Sequence, residues 1–189
     1  LCTAHVHNKP SAAEVKAFTS SDYFNAWNAI TSDIELSEAA EQFGYKLLFL
    51  PHPYGSRFVD LFTYSARFKC LKYSAIKSVQ NLLASCNLLV SEYSSMAMET
   101  AFIGIPVIYY QFAETPSFFS THTYAKGYFD YERDGFGPVI TESEVLVSEV
   151  IKYMQLDCMR EEKYGKRAES FFDLHDKFNS ERVYQAIVD

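Results

Sequence analysis

A histidine held between two prolines, Pro51-His52-Pro53, follows the apolar run Lys46 to Leu50. Prolines on both sides keep the backbone extended and fix the imidazole at the tip of a predicted strand, the edge at which open α/β sheets place their ligands. Such a histidine can donate a hydrogen bond or a proton to a phosphate oxygen near neutral pH. It can equally satisfy a turn carbonyl, and a His-Pro pair alone does not decide between the two.

A second group, Ser91-Glu92-Tyr93-Ser94-Ser95, lies where another apolar run passes straight into an amphipathic one. A helix starting there offers unpaired N–H donors beside two hydroxyls, a small anion site, and a capping serine would still leave other first-turn donors free. Glu99 does not complete a capping box, because the residues three after Ser94 and Ser95 are Ala97 and Met98. It falls one turn below Ser95 on the same face. There its carboxylate could accept the hydroxyls of a ribose whose phosphates rest on the helix tip, or face solvent at the favourable end of the helix dipole.

The third group is the aperiodic stretch Gln111 to Gly137, in which His122, Lys126, Asp130 and Arg133 are interleaved with Tyr124, Tyr128, Phe129 and Tyr131. A loop this long in a compact domain is usually functional or mobile. Its cations could clamp a second phosphate or stay solvated, and its aromatics could wall a base or seal a site. Tyr93, Asp130 and Arg133 are accessory candidates. No Asp and His cluster suggests a metal, and none is expected. Cys2, Cys70, Cys86 and Cys158 are scattered without zinc spacing and read as reduced, mostly buried thiols.

These residues need a scaffold that brings strand ends together. Short apolar runs alternate with amphipathic ones, the pattern of an α/β fold with a parallel sheet covered by helices on both faces. Strands are predicted at Leu1 to Val6, Lys46 to Leu50, Phe68 to Leu71, Asn87 to Ser91, Pro106 to Tyr110 and Pro138 to Ile140. Helices are predicted over Ser21 to Phe43, with a break near Thr31 to Asp33, over Ser74 to Ser85 with Ile76, Val79 and Leu83 on one face, and over Ser95 to Ile103. Two later stripes at helical spacing, Val147, Val150, Ile151 and Met154, then Val183, Tyr184, Ile187 and Val188, should both face the core.

The 189 residues, 48% of them apolar, suit one ordered domain, 1–189. A net charge of −7 argues against a broad grip on nucleic acid, so an anionic ligand must be held locally. No run reaches the roughly 18 apolar residues of a transmembrane segment. The chain opens on Leu1 without a methionine or a signal peptide and reads as a piece of a longer protein.

In this order the motifs resemble the CDP-glycerol glycerophosphotransferase family of teichoic-acid-type polymer synthesis. The resemblance runs from about Phe18 to the C-terminus. It is carried by F-T-S-S-D-Y-F-N-A-W-N at Phe18 to Asn28, P-H-P at Pro51 to Pro53 and E-Y-S-S at Glu92 to Ser95. It continues through G-I-P-V-I-Y-Y-Q-F at Gly104 to Phe112, G-Y-F-D-Y-E-R-D-G-F-G-P at Gly127 to Pro138 and S-E-R-V-Y at Ser180 to Tyr184. Three departures stand out. The family usually has aspartate where Glu92 stands, it often has an acid at Ala113, and its arginine-bearing segment after the first strand is not evident in Thr3 to Pro10.

The resemblance implies the Rossmann-like, C-terminal half of a two-domain GT-B transferase that binds a CDP-activated donor. A preceding half, absent from this chain, would supply acceptor binding and part of the catalysis. It implies His52 as the catalytic histidine, Ser94 and Ser95 as donor-phosphate ligands and Glu99 as the ribose ligand; His122 and Lys126 of the aromatic loop are added as phosphate-binding candidates from their residue type alone. The reaction implied is attack of an acceptor hydroxyl on the β-phosphorus of CDP-glycerol or a related CDP-polyol, with CMP leaving and no cofactor. The acceptor would be a lipid-linked polymer, the location cytoplasmic or peripheral at the inner membrane face, and the chain by itself inactive. Two alternatives stand beside this reading: a CMP-sialic acid glycosyltransferase, which is similar in pairing His-Pro with two serines, and a non-catalytic nucleotide-binding module.

Overall fold

The computed structural model describes residues 9–112 and 127–189. The predicted strand Leu1 to Val6, together with Cys2, Ala113, His122, Tyr124 and Lys126, lies outside them.

Three helices come first, α1 (Ala12–Thr19), α2 (Asp22–Ser32) and α3 (Ile34–Gln42). Side-chain caps set their starts. Ser11 and Glu14 form a reciprocal capping box on α1, a helix the sequence reading missed, and Ser21 accepts the Phe24 N–H on α2. The expected break falls at Asp33, whose carboxylate accepts the Leu36 N–H at 2.6 Å while its backbone is extended, so the residue that ends α2 also starts α3. Gly44, at φ 76°, closes α3 in a conformation that favours glycine.

The strands β1 (Leu47–Phe49), β2 (Phe68–Cys70), β3 (Leu89–Ser91), β4 (Val107–Tyr110) and β5 (Val139–Ile140) match five predicted runs. They form two parallel ladders, β1-β2 and β3-β4-β5. Between β1 and β2 runs a 3-10 helix, Pro53–Leu61, that the sequence did not announce. A 3-10 turn, Tyr73–Ala75, and the helices α4 (Val79–Ala84), α5 (Met96–Phe102), α6 (Ser143–Gln155), α7 (Glu162–Phe171) and α8 (Asn179–Val188) complete the described elements.

Strand β4 has all four residues buried, and they divide between two cores. Ile108 and Tyr110 join Leu36, Leu146, Val150 and Met154 from α3 and α6, while Val107 and Tyr109 join Ala97, Ala101 and Ala168 from α5 and α7. Alternate residues of a strand point to opposite faces, so helices cover both sides of this ladder, as expected. A third, aromatic core gathers Phe18, Tyr23, Phe49, Phe58 and Phe62, with Phe18 stacked on Phe58 at 4.2 Å.

Two expectations fail. The helix predicted over Ser74 to Ser85 is only α4, because Ile76 is extended and Ser78 caps a fresh start by accepting the Asn81 N–H. The stripe on α8 does not face the core: Val183 and Tyr184 are 61% exposed, Ile187 77% and Val188 55%. Periodicity reports that a helix has an apolar face, not what covers it. The α6 stripe does pack inward, with Val147, Val150 and Met154 buried. Among the described residues no helix is long and apolar enough to cross a membrane.

Candidate functional site

The His52 and Ser94–Ser95 loops leave the C-terminal ends of β1 and β3, and those ends meet on α2. The Trp27 ring lies 5.6 Å from Phe49, the last residue of β1, and edge-on at 5.5 Å to Tyr110, the last residue of β4. Its indole N–H donates to the Glu92 carboxylate, just past β3, at 2.8 Å. Trp27 thus bridges the end of β1, the end of β4 and the loop after β3, although β1 and β3 belong to separate ladders.

At His52 the chain turns at once. Pro51 is buried, the Gly55 N–H donates to the His52 carbonyl at 2.7 Å, and the His52 backbone hydrogen-bonds with the Tyr23 hydroxyl. The side chain is exposed, yet nearby protein removes enough water to hold its pKa below the usual imidazole value. At pH 7 it is neutral, able to donate from one ring nitrogen and accept at the other.

At the second motif the structure corrects the expected anion site. The Ser94 hydroxyl accepts the Met96 N–H at 3.2 Å, the Ser94 carbonyl takes the Ala97 N–H, and the Ser95 carbonyl takes those of Met98 and Glu99. The first-turn donors of α5 are thus occupied, because a tight turn at Ser94–Ser95 supplies acceptors of its own. The hydroxyls remain as groups that can reach a ligand. The Ser94 hydroxyl accepts through lone pairs, leaving its proton to donate, and the Ser95 hydroxyl takes no part in the cap. Ser95 and Glu99 are both exposed, on one face and a turn apart, as the spacing predicts.

A cavity of about 110 Å³ opens beside this turn, lined by Tyr93, Ser94, Ser95, Met98, Phe129 and Tyr131, with Ala97 and Tyr109 behind. The aromatic loop thus reaches the serine motif: Tyr131 stands edge-on to Tyr93, Tyr109 and Phe129 at 4.9 to 5.5 Å. Asp130 and Arg133, the accessory candidates, shape the loop. Asp130 accepts the N–H groups of Glu132 and Arg133, while the Arg133 guanidinium binds the Asp134 carboxylate and the Tyr128 carbonyl. Arg167 of α7 fastens the same loop through the carbonyls of Glu132 and Gly135 at 2.9 and 3.0 Å.

Sequence reasoning included Glu92 in the second group and noted it as a departure from the family pattern, but gave it no role. Burial pushes its carboxyl up to about 7, against the smaller opposing effect of the Trp27 hydrogen bond. The signal was its place directly after an apolar run, Asn87 to Ser91; its partner lies 65 residues away and leaves no local trace.

The chain is similar to a minor teichoic acid biosynthesis protein, GgaB, of Bacillus subtilis (strain 168). The two are 35% identical over 172 residues, which is 91% of this chain and 18% of the relative. In fold it is similar to the wall teichoic acid polymerase TagF in two solved structures, one of them soaked with CDPG. The TM-scores are 0.57 and 0.55, the identities 19% and 20%, and the match covers 84% of this chain and 37% and 38% of those chains. The chain thus spans well under half the length of these relatives. A family model described as CDP-Glycerol:Poly(glycerophosphate) glycerophosphotransferase matches residues 18–189, and the chain belongs to that family.

Proposed function

We propose that this chain is the Rossmann-like donor-binding half of a GT-B transferase that moves glycerol phosphate, or a related polyol phosphate, from a CDP-activated donor to a hydroxyl of a growing wall or surface polymer. The observation that carries this reading is the bridge at Trp27, which joins the ends of β1 and β4 to the loop after β3. In this reading one pyrophosphate lies between His52 and the serine turn.

The acceptor oxygen bonds to the β-phosphorus, and the bond from that phosphorus to the bridging oxygen breaks. The electron pair stays on CMP, and the acceptor proton passes to a base outside this chain. Charge therefore grows on the leaving phosphate. His52 meets that charge as hydrogen-bond donor, its depressed pKa rising when an anion binds beside it, so that it can hand over a proton as the bond breaks. Ser94 and Ser95 donate hydroxyl protons to the phosphates, Glu99 accepts the ribose hydroxyls, and His122 and Lys126 supply positive charge. The reaction needs no cofactor or metal in this reading. The acceptor is a lipid-linked polymer presented by a preceding half at the cytoplasmic membrane face, which rests on the family alone.

The test is CMP release from CDP-glycerol by the full-length protein carrying His52→Ala. General acid catalysis contributes about 100-fold to 10,000-fold, whereas one neutral hydrogen bond contributes about 1 kcal/mol to binding. Turnover should fall by the larger factor and donor affinity by the smaller; equal losses would reduce His52 to a binding residue. Thermal stabilisation by CMP-sialic acid but not by CDP-glycerol would instead favour a sialyltransferase.

A further inference from the structure

Helix α2 reaches both loops that the proposed chemistry needs. Tyr23 and Trp27 are four residues apart, one above the other on a single face. The Tyr23 hydroxyl hydrogen-bonds with the His52 backbone, and the Trp27 indole donates to Glu92, two residues before Ser94. Lower on the same helix, the Asn28 side chain accepts the Thr63 N–H at 2.8 Å and the Thr31 carbonyl accepts that of Ser65. The segment following His52 is thereby tied to α2 at its far end as well. The strands that the two loops extend are not ladder neighbours: β1 pairs with β2, and β3 with β4. Backbone pairing between them does not set the distance from His52 to the serine turn, and α2 spans it directly.

We propose that Tyr23 and Trp27 are positioning residues for the transfer, acting as a brace that holds His52 and the Ser94–Ser95 turn at one fixed separation. This rests on the functional reading above. A pyrophosphate gripped from two sides tolerates only about 0.5 Å of error before the reacting geometry degrades, so the brace acts on the chemical step more than on ground-state binding. It also gives a purpose to the Phe18 to Asn28 motif, to whose Tyr23 and Trp27 the proposed chemistry assigns no ligand.

The experiment uses the full-length protein with Trp27→Phe and Tyr23→Phe, each of which keeps a ring and removes only the polar group. Expected is a fall in kcat for CMP release of about 10-fold to 100-fold in each, with donor KM changed less than about threefold. The double variant should lose less than the product of the two, since both act on one geometry. A kcat within about twofold of wild type in both folded single variants overturns the brace. Should Trp27→Phe fail to fold, Glu92→Leu removes the same bond from the other side. If wild type releases no CMP from CDP-glycerol, the functional reading has failed, and the ring signals of ¹³C-labelled histidine decide the brace separately. His52 resonances that shift in Trp27→Phe sustain it, and unmoved ones overturn it.

Discussion

Replacing Glu92 by glutamine should change how stability responds to pH. The folded protein holds this carboxyl at about 7, against an ordinary value of 4.5, because burial penalises its charge. A carboxyl whose folded pKa lies above its unfolded one keeps its proton longer when folded. Stability is therefore fully present below about 4.5 and is lost as pH rises through the folded pKa near 7. Each pH unit between the two values corresponds to about 1.4 kcal/mol, which sets an upper figure of about 3 kcal/mol for the whole window. Glutamine keeps an oxygen for the Trp27 N–H and cannot ionise. Tyr23 and Tyr110, the titratable neighbours of Glu92, have pKa values pushed far above this window, so they stay neutral through it. His52 titrates in both proteins and cancels in the difference. The assay is urea unfolding of wild type and Glu92→Gln at pH 5, 6, 7 and 8. The stability of the variant relative to wild type should climb by roughly 2 to 3 kcal/mol across that range, whatever constant offset the amide introduces. A difference that stays flat with pH would refute the claim that this carboxyl is desolvated.

Three further substitutions test the surroundings of the site. Arg167→Ala removes two hydrogen bonds to the carbonyls of Glu132 and Gly135, so it should cost about 1 to 3 kcal/mol and speed amide exchange across Glu132 to Phe136. Unchanged exchange there would show that the loop does not depend on α7. Gly137→Ala should destabilise strongly, because the added Cβ would collide with the Val107 carbonyl and push β5 from β4, whereas Gly127→Ala, with open space around it, should stay within about 0.5 kcal/mol of wild type by thermal melting.

The local placement of the candidate residues was legible in the sequence because it depends on neighbours in the chain. Prolines flank His52, the serines follow an apolar run, and Glu99 shares an exposed face with Ser95, all of which follow from residue type and spacing. The strands β1 to β5 were legible for the same reason, as were the break at Asp33 and the inward stripe of α6. The free helix tip was not, since whether an N–H is satisfied depends on the turn that precedes it, and here Ser94 and Ser95 supply the acceptors. Nor did the sequence show that Arg133, an accessory candidate, is held by Asp134 and Tyr128.

By itself the sequence determined the alternation of strands and helices, the family, and the candidate residues for its chemistry, because periodicity and side-chain type act over a few residues at a time. Only the tertiary structure decided that Trp27 meets Glu92, that burial raises that carboxyl to about 7, that Tyr131 reaches Tyr93, and that the apolar face of α8 is exposed. Each of these depends on which distant segment comes to lie alongside, and desolvation and contact are properties of that proximity rather than of any residue taken alone.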